Sequence, residues 1–412
     1  MATAVPGKNP ARWRMLALVW AVYASFGITV GSIPPLVEPI VEDLGISYSG
    51  MGLILGSWQL VYIVTAFPMG MLVDRLGTRK ALGLGVLIVW LSLVLRGVAG
   101  DFLTLFLAVA LLGVGGPLIS IGAPKVVSQW FDGKERSLAA GIYAAAPVAG
   151  GVLSLATASS AVLSLTGTWR GIALVYGAVV LLAMAAWWLF AKDAPQTATA
   201  SGGVQEGRKA SPLSGLASLL RIRNVQLLLV LAIATFFLNH GLEAWVPTLL
   251  KERGMTLAAA GFWTAFAAAL GAVGAMVVSG IATHGRRVAV MAVLLAVASG
   301  TIAVMAFADG PVILAPLLVS SWVRQPMMPV LSLVLMETPG VGAARIGAAM
   351  GLFFAAAEIG GFGAPVLVGL LRDATGSLTW GVLSLAIVGG ALLVAMPFVK
   401  ETKAPESQTG TG

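Results

Sequence analysis

Long apolar runs separated by short polar breaks pattern almost the whole chain. They predict twelve helices, at residues 15–40, 51–73, 81–99, 102–126, 137–163, 169–191, 225–249, 256–282, 287–308, 311–336, 346–371 and 377–399. At 1.5 Å per residue, runs of about 20 residues span a hydrocarbon core of ~30 Å. Most connections are short, so consecutive helices are expected to be antiparallel. One polar stretch, Lys192 to Asn224, is rich in Ser, Gly, Ala and Thr and is expected to be a flexible cytoplasmic linker. Its end, PLSGLASLLRIR, reads equally as ordinary linker or as a short amphipathic helix on a membrane face. The expected organisation is a six-helix half at 1–191, a linker at 192–224, a second six-helix half at 225–399 and a cytoplasmic tail at 400–412.

Composition narrows the class. The 412 residues are 58% hydrophobic and only 10% charged, with a mean hydropathy of +0.95. That cannot furnish the polar surface of a soluble protein, so the expected fold is an all-α integral membrane protein. The apolar run after Arg14 continues past Val30, too long for a signal h-region, so no cleavable signal is expected. Cysteine is absent, which excludes disulfides and thiolate metal sites. The glycine-rich segments LLGVGGP and PVAGGV lie within apolar runs and lack the Lys-Ser/Thr of a phosphate loop. Spacing yields no metal-ligand cluster and no nucleophile–base pair, so neither catalysis nor a cofactor is expected.

The net charge of +8 raises the possibility of nucleic acid, but its distribution assigns it elsewhere. An even number of spans puts both termini on one side. Loops on that side hold eighteen lysines and arginines against five on the other, namely Arg96, Arg170, Lys251, Arg253 and Arg372. The basic side faces the cytoplasm and its anionic lipid, so both termini are expected there.

The halves echo each other at an offset of about 210 residues. Gly70–Lys80 (GMLVDRLGTRK) has a shrunken counterpart in Gly280–Arg287 (GIATHGRR). Pro35 with Gly45-Ile46-Ser47 is echoed by Pro247 with Gly254-Met255-Thr256, and Arg136 to Pro147 by Arg345 to Glu358. Abundant Ala and Gly make each match weak alone; three in one order carry more. Parallel repeats of this kind place a binding site at their interface near mid-membrane.

The cluster Gly70, Asp74, Arg75, Gly77, Arg79 and Lys80 resembles the signature of the major facilitator superfamily. The resemblance extends over the chain: twelve expected spans, six plus six, a central linker and a degenerate second copy. It implies a secondary transporter whose halves rock in alternating access, here expected to be a monomer in a cell inner membrane. Physically, Gly70 permits close helix approach and Gly77 a tight turn. Asp74 at a helix end can then take a salt bridge that forms in one rocking state and breaks in the other. The alternative is that Arg75, Arg79 and Lys80 only anchor topology.

Cargo is sought among polar groups inside the spans, where a charge costs at least about 2.5–3.5 kcal/mol. Arg324, in VSSWVRQPMMPV, is the most deeply placed cation, and its guanidinium suits a carboxylate; an internal salt bridge is the plainer reading. Asn239, His240 and Glu243 fall on one helix face. His240 and Glu243 are candidate proton carriers, unless Glu243 is merely solvated in a vestibule. Glu358 is either a proton site or the partner of Arg324. Lys125 either lines a cavity or snorkels to the surface. Among aromatics that could form walls, including Phe26 and Trp58, Tyr143 and Trp322 are the expected substrate contacts.

Within the superfamily, drug exporters carry an arginine where this chain has Val109. Their Gly-Pro-x-x-Gly-Gly element appears here as Ala146-Pro147-Val-Ala-Gly150-Gly151. The NHGLEAWVPTLL stretch looks most like the branches handling small anions such as monocarboxylates and cyanate. The expected function is proton-coupled uptake of a small organic anion such as a monocarboxylate. The alternative is a proton-driven exporter of a hydrophobic or cationic compound, with Arg324 structural.

Overall fold

The computed structural model describes residues 11–193, 218–283 and 285–401. Every regular element among them is helical. Helices α1 (Ala11–Leu44), α2 (Tyr48–Leu76), α3 (Thr78–Gly97), α4 (Phe102–Trp130), α5 (Gly133–Thr166) and α6 (Trp169–Phe190) come first. They are followed by α7 (Arg223–Glu252), α8 (Leu257–Ile281) and α9 (Arg287–Phe307). Two short helices, α10 (Leu314–Arg324) and α11 (Met327–Met336), precede α12 (Gly342–Thr375) and α13 (Leu378–Phe398). Most of the linker expected at 192–224, with the first half of its proposed surface helix, lies outside the described residues, as does the tail beyond Glu401.

Eleven of these helices are long and apolar enough to cross a membrane. The single span expected at 311–336 is instead broken after Arg324. Pro326 has no N–H to donate and its ring crowds the preceding turn, so the run splits into α10 and α11, each too short to cross alone. Turn chemistry sets the other boundaries. Ser47 accepts from the Gly50 N–H (3.0 Å) at the start of α2, and Asp101 with Thr104 closes a capping box at the start of α4. Gly45 ends α1 in the left-handed region, at φ 59°, a conformation open to glycine at little cost.

The helices pack through small residues. Gly150 of α5 lies against the Ala24 carbonyl of α1 with no room for a methyl group. The same holds where Gly52 of α2 meets the Pro365 carbonyl of α12. Without a hydrophobic drive between helices in lipid, such close backbone approach supplies the van der Waals contact that holds them. Large apolar side chains such as Phe67, Leu182 and Met276 remain exposed on the outside.

Helices α1–α6 touch α7–α13 along two main seams, α2 with α12 and α5 with α8. Polar links across these seams gather at the end of the bundle away from the chain termini. There Glu38 pairs with Lys251, and Ser159 donates to the Leu257 carbonyl at 3.0 Å. The Asp373 carboxylate accepts from the backbone N–H groups of Tyr48 (2.9 Å) and Ser49 (2.7 Å). It thereby caps the positive N-terminal end of α2 from the opposite group of helices. At the terminus-bearing end the ion pairs among the described residues stay within one group, as in Arg12–Glu135 and Arg287–Glu337. Among the described residues, the polar links between the two groups of helices thus gather at one end of the bundle.

Candidate functional site

Between the two groups of helices lies a cavity of about 270 Å³, lined from α1, α2, α5, α7, α8 and α10. Its walls are largely apolar: Phe26, Val30, Trp58, Pro147, Val152 and Leu317. Its polar groups converge from α7 and α10, as Arg324, Gln325, His240, Glu243, Ser321 and, from α8, Thr264.

The helix break positions Arg324 in the last turn of α10, where it is 3% exposed. Nη1 donates to Asn239 Oδ1 at 2.5 Å, and Nε to Ser320 Oγ at 3.3 Å. Both partners are neutral, and among the described residues no carboxylate forms an ion pair with Arg324. Neutral acceptors orient the guanidinium; the carboxylate acting on its charge, Glu243 across the same cavity, does so at a distance and without an ion pair, so the charge is only partly offset in so dry a place. An anion entering the cavity meets a pre-oriented fork whose desolvation is already complete.

One turn along α7, Glu243 reaches the same cavity. Its Oε1 accepts from Gln325 Nε2 at 3.0 Å, and its Oε2 lies 3.5 Å from His240 Nδ1. The imidazole sits edge-on to Phe236 and Trp58, with ring centroids 4.9 and 5.9 Å away. Glu358 of α12 is 6% exposed and does not pair with Arg324. Its Oε2 has no hydrogen-bond partner, and neither has Oε1 of the buried Gln59 on α2. Both side chains pack tightly around Gly361: a Cβ there would lie 2.9 Å from Glu358 Oε2, 3.0 Å from His240 Cδ2 and 3.3 Å from Gln59 Cγ, leaving no room for a methyl group. Glycine at this position lets Glu358, His240 and Gln59, from opposite groups of helices, come together. A hydrogen on the carboxyl would convert one acceptor into a donor.

The structure brings Arg324, His240 and Glu243 to the cavity, with Asn239 behind Arg324 and Glu358 behind His240, neither of them lining it. It does not bring Tyr143 or Trp322 there. Tyr143 stacks on Tyr23 with centroids 6.3 Å apart. Trp322 packs over Gly274 of α8; two residues from Arg324 on a helix, it faces the other way. The aromatic walls are Phe26 and Trp58 instead. Gln59 and Gln325 went unmarked in the sequence because the search began from charged groups and took in an amide only at Asn239, beside His240 and Glu243.

The basic cluster lies at the terminus-bearing end, away from the cavity. Lys125 of α4 extends to pair with Asp74 at the end of α2, both side chains partly exposed. Gly77 makes the turn at φ 78°, next to Arg75, and Arg79 reaches Asp193 at 3.9 Å. Gly70 lies close to Ile121 of α4. Arg96, counted above among loop charges, is corrected: it is 2% exposed inside the bundle.

Residues 19–365 match the sequence model of the Major Facilitator Superfamily. The chain belongs to that family. A protein of Escherichia coli (strain K12) assigned as an L-galactonate transporter is 29% identical over 154 residues, 37% of this chain and 34% of that one. The match thus spans about a third of that relative's length. A protein of Agrobacterium vitis assigned as a tartrate transporter is 27% identical over 389 residues, 86% of this chain and 82% of that one. In fold, this facilitator is similar to the crystal structure of a bacterial homolog of the human lysosomal transporter Spinster in an inward-facing, unoccupied conformation. The TM-score is 0.76 at 17% identity, covering 95% of this chain and 96% of that one. As a member of the superfamily the chain is a secondary transporter, not an enzyme, and works as a multi-pass membrane protein.

Proposed function

We propose that this facilitator carries out proton-coupled uptake of a small organic anion, with monocarboxylates and hydroxylated acids as first candidates. One observation carries the reading: Arg324 is buried at the edge of a 270 Å³ cavity, held by Asn239 and Ser320 and by no acid. A carboxylate would neutralise the guanidinium, while Gln325, Thr264 and Ser321 offer partners for hydroxyl groups. Tartrate and galactonate, the cargoes assigned to the two relatives, belong to this chemical class.

The proton would ride on Glu358, with His240 and Glu243 relaying it towards the cavity. Protonated Glu358 could donate to Gln59, linking the two groups of helices in one protonation state and releasing them in the other. With α10 and α11 counted as one broken crossing, the chain spans the membrane twelve times in two six-helix halves, 1–191 and 225–399, as a monomer. Such irregular backbone within the bilayer is expected where it lines a cavity. The eighteen-to-five asymmetry supports cytoplasmic termini for a protein of a cell inner membrane. The linked end is then the outer one, and the conformation is inward-facing. Asp74 and Lys125 act as the latch remade in each cycle.

The test is uptake of labelled small carboxylates into proteoliposomes under an inward proton gradient. Gradient-dependent accumulation of at least one carboxylate, lost in Arg324→Gln with folding intact, is the expected result. Absence of carboxylate uptake, with gradient-driven export of a cationic dye instead, would replace this reading with the exporter alternative.

A further inference from the structure

Arg79 belongs to the basic cluster of the sequence signature but takes no part in the Asp74–Lys125 pair. It reaches α6 instead: Nη2 approaches the Trp188 carbonyl at 3.5 Å, and Nη1 lies 3.9 Å from Asp193. There it borders an open cleft of about 340 Å³, formed where α1 and α3 begin and α6 ends. Arg14 and Lys192 complete the cationic side, and Leu189 and Phe190 form an apolar lip. Three cations face one acid, Asp193, so positive charge is left over. The first turns of α1 and α3 add the positive ends of two helix dipoles.

The lip continues into an apolar surface. Leu189 is 73% exposed, and Leu182, seven residues earlier on the same face of α6, is 72% exposed. Trp188 is exposed beside them, and an indole at a helix end marks the headgroup level of a bilayer. A free phosphate would use the cations and ignore the lip; a phospholipid uses both. The chain's own neighbouring segments lack the charge to fill the cleft. Residues 1–10 hold Lys8 and no acid, residues 194–217 hold Arg208 and Lys209 against Glu206, and residues 402–412 hold one lysine and one glutamate.

We propose that this cleft seats one anionic glycerophospholipid. Its phosphodiester lies against Arg14, Arg79 and Lys192, where a guanidinium fork suits two phosphate oxygens, and an acyl chain runs along Leu189 and Leu182. All three cations belong to the first group of helices, so the lipid fixes α1, α3 and α6 at the membrane surface and is not cargo. The proposal is independent of the transport reading.

The test uses the full-length protein in nanodiscs of equal parts phosphatidylcholine and phosphatidylglycerol, with native mass spectrometry counting the lipids retained on release. Wild type should keep one phosphatidylglycerol in preference to phosphatidylcholine. Arg14→Gln combined with Lys192→Gln, both exposed positions outside the transport cavity, should weaken that retention roughly 30-fold. Lys134→Gln, an equally exposed cation at the same end, should leave it unchanged, and millimolar inorganic phosphate should not displace the lipid. No preference for phosphatidylglycerol in the wild type, undiminished retention in the double variant, an equal loss in Lys134→Gln, or displacement by phosphate would each overturn the proposal.

Discussion

Arg324 and Arg96 are both buried, both in the last turn of a helix, and both without an acid partner, yet their surroundings differ in one decisive respect. Arg324 opens on a 270 Å³ cavity at a seam between two groups of helices. Arg96 is enclosed by helices of a single group, with two of its nitrogens sealed from water. On the proposed mechanism a charge at this seam is exposed to either side of the membrane in turn, so its counter-ion is cargo. A charge enclosed within one group of helices has no such access, and Arg96 is met by the Thr29 carbonyl instead. The same side chain therefore serves exchange in one place and packing in the other. Access decides which, because a guanidinium in a low-dielectric site is costly in both.

The largest test of this contrast is a crossed pair of variants. Hydrogen bonds to charged groups are worth about 1.5–3 kcal/mol, so Arg324→Gln should weaken carboxylate binding roughly 10- to 100-fold without lowering the thermal midpoint. Arg96→Met should spare carboxylate binding and move only the midpoint. Carboxylate binding lost in Arg96→Met as well would dissolve the distinction between the two sites.

Glu358→Gln sharpens the division of labour around the cavity. Accumulation driven by a proton gradient should fall to background, whereas substrate exchange at equal pH on both sides should continue, because a permanently neutral amide mimics the protonated carboxyl. Exchange lost together with accumulation would make Glu358 a structural residue.

Gly52→Val acts on the seam itself. A side chain there must displace the Pro365 carbonyl, an overpacking cost of about 1–3 kcal/mol. Substrate affinity and thermal stability should both change. Lys125→Ala should have the smallest effect on stability, about 0–1 kcal/mol for so exposed a pair. It should slow uptake without altering equilibrium binding at Arg324; an unchanged uptake rate would reduce Asp74 and Lys125 to anchors.

Much of this architecture was legible in the sequence because lipid imposes a coarse rule: apolar runs of sufficient length become helices. The run at 311–336 obeyed it in composition but not in backbone, since Pro326 breaks the helix just after Arg324. Arg324 itself was conspicuous, as a lone cation in an apolar run must be. Arg96 escaped the same logic. Two residues before Val98 and close to Asp101, it looked like a loop charge, and only packing against Thr29 and Trp169 reveals its burial. Tyr143 was chosen because it sits in a helix of the internal repeat and Trp322 for its proximity to Arg324 along the chain, whereas helical rotation puts Trp322 on the face opposite Arg324. Gln59 and Glu358 are nearly 300 positions apart, and no local pattern announces that they pack together against Gly361.

The most direct measurement is equilibrium binding of a small carboxylate panel, including tartrate, to purified wild-type protein, Arg324→Gln and Arg324→Lys. Wild type should bind a carboxylate and reject its neutral amide analogue. Arg324→Gln should lose that discrimination, and Arg324→Lys should keep part of it, since a point charge replaces a fork. Equal affinity for acid and amide in the wild type, or undiminished binding in Arg324→Gln, would contradict the assignment of Arg324 as the anion's counter-charge.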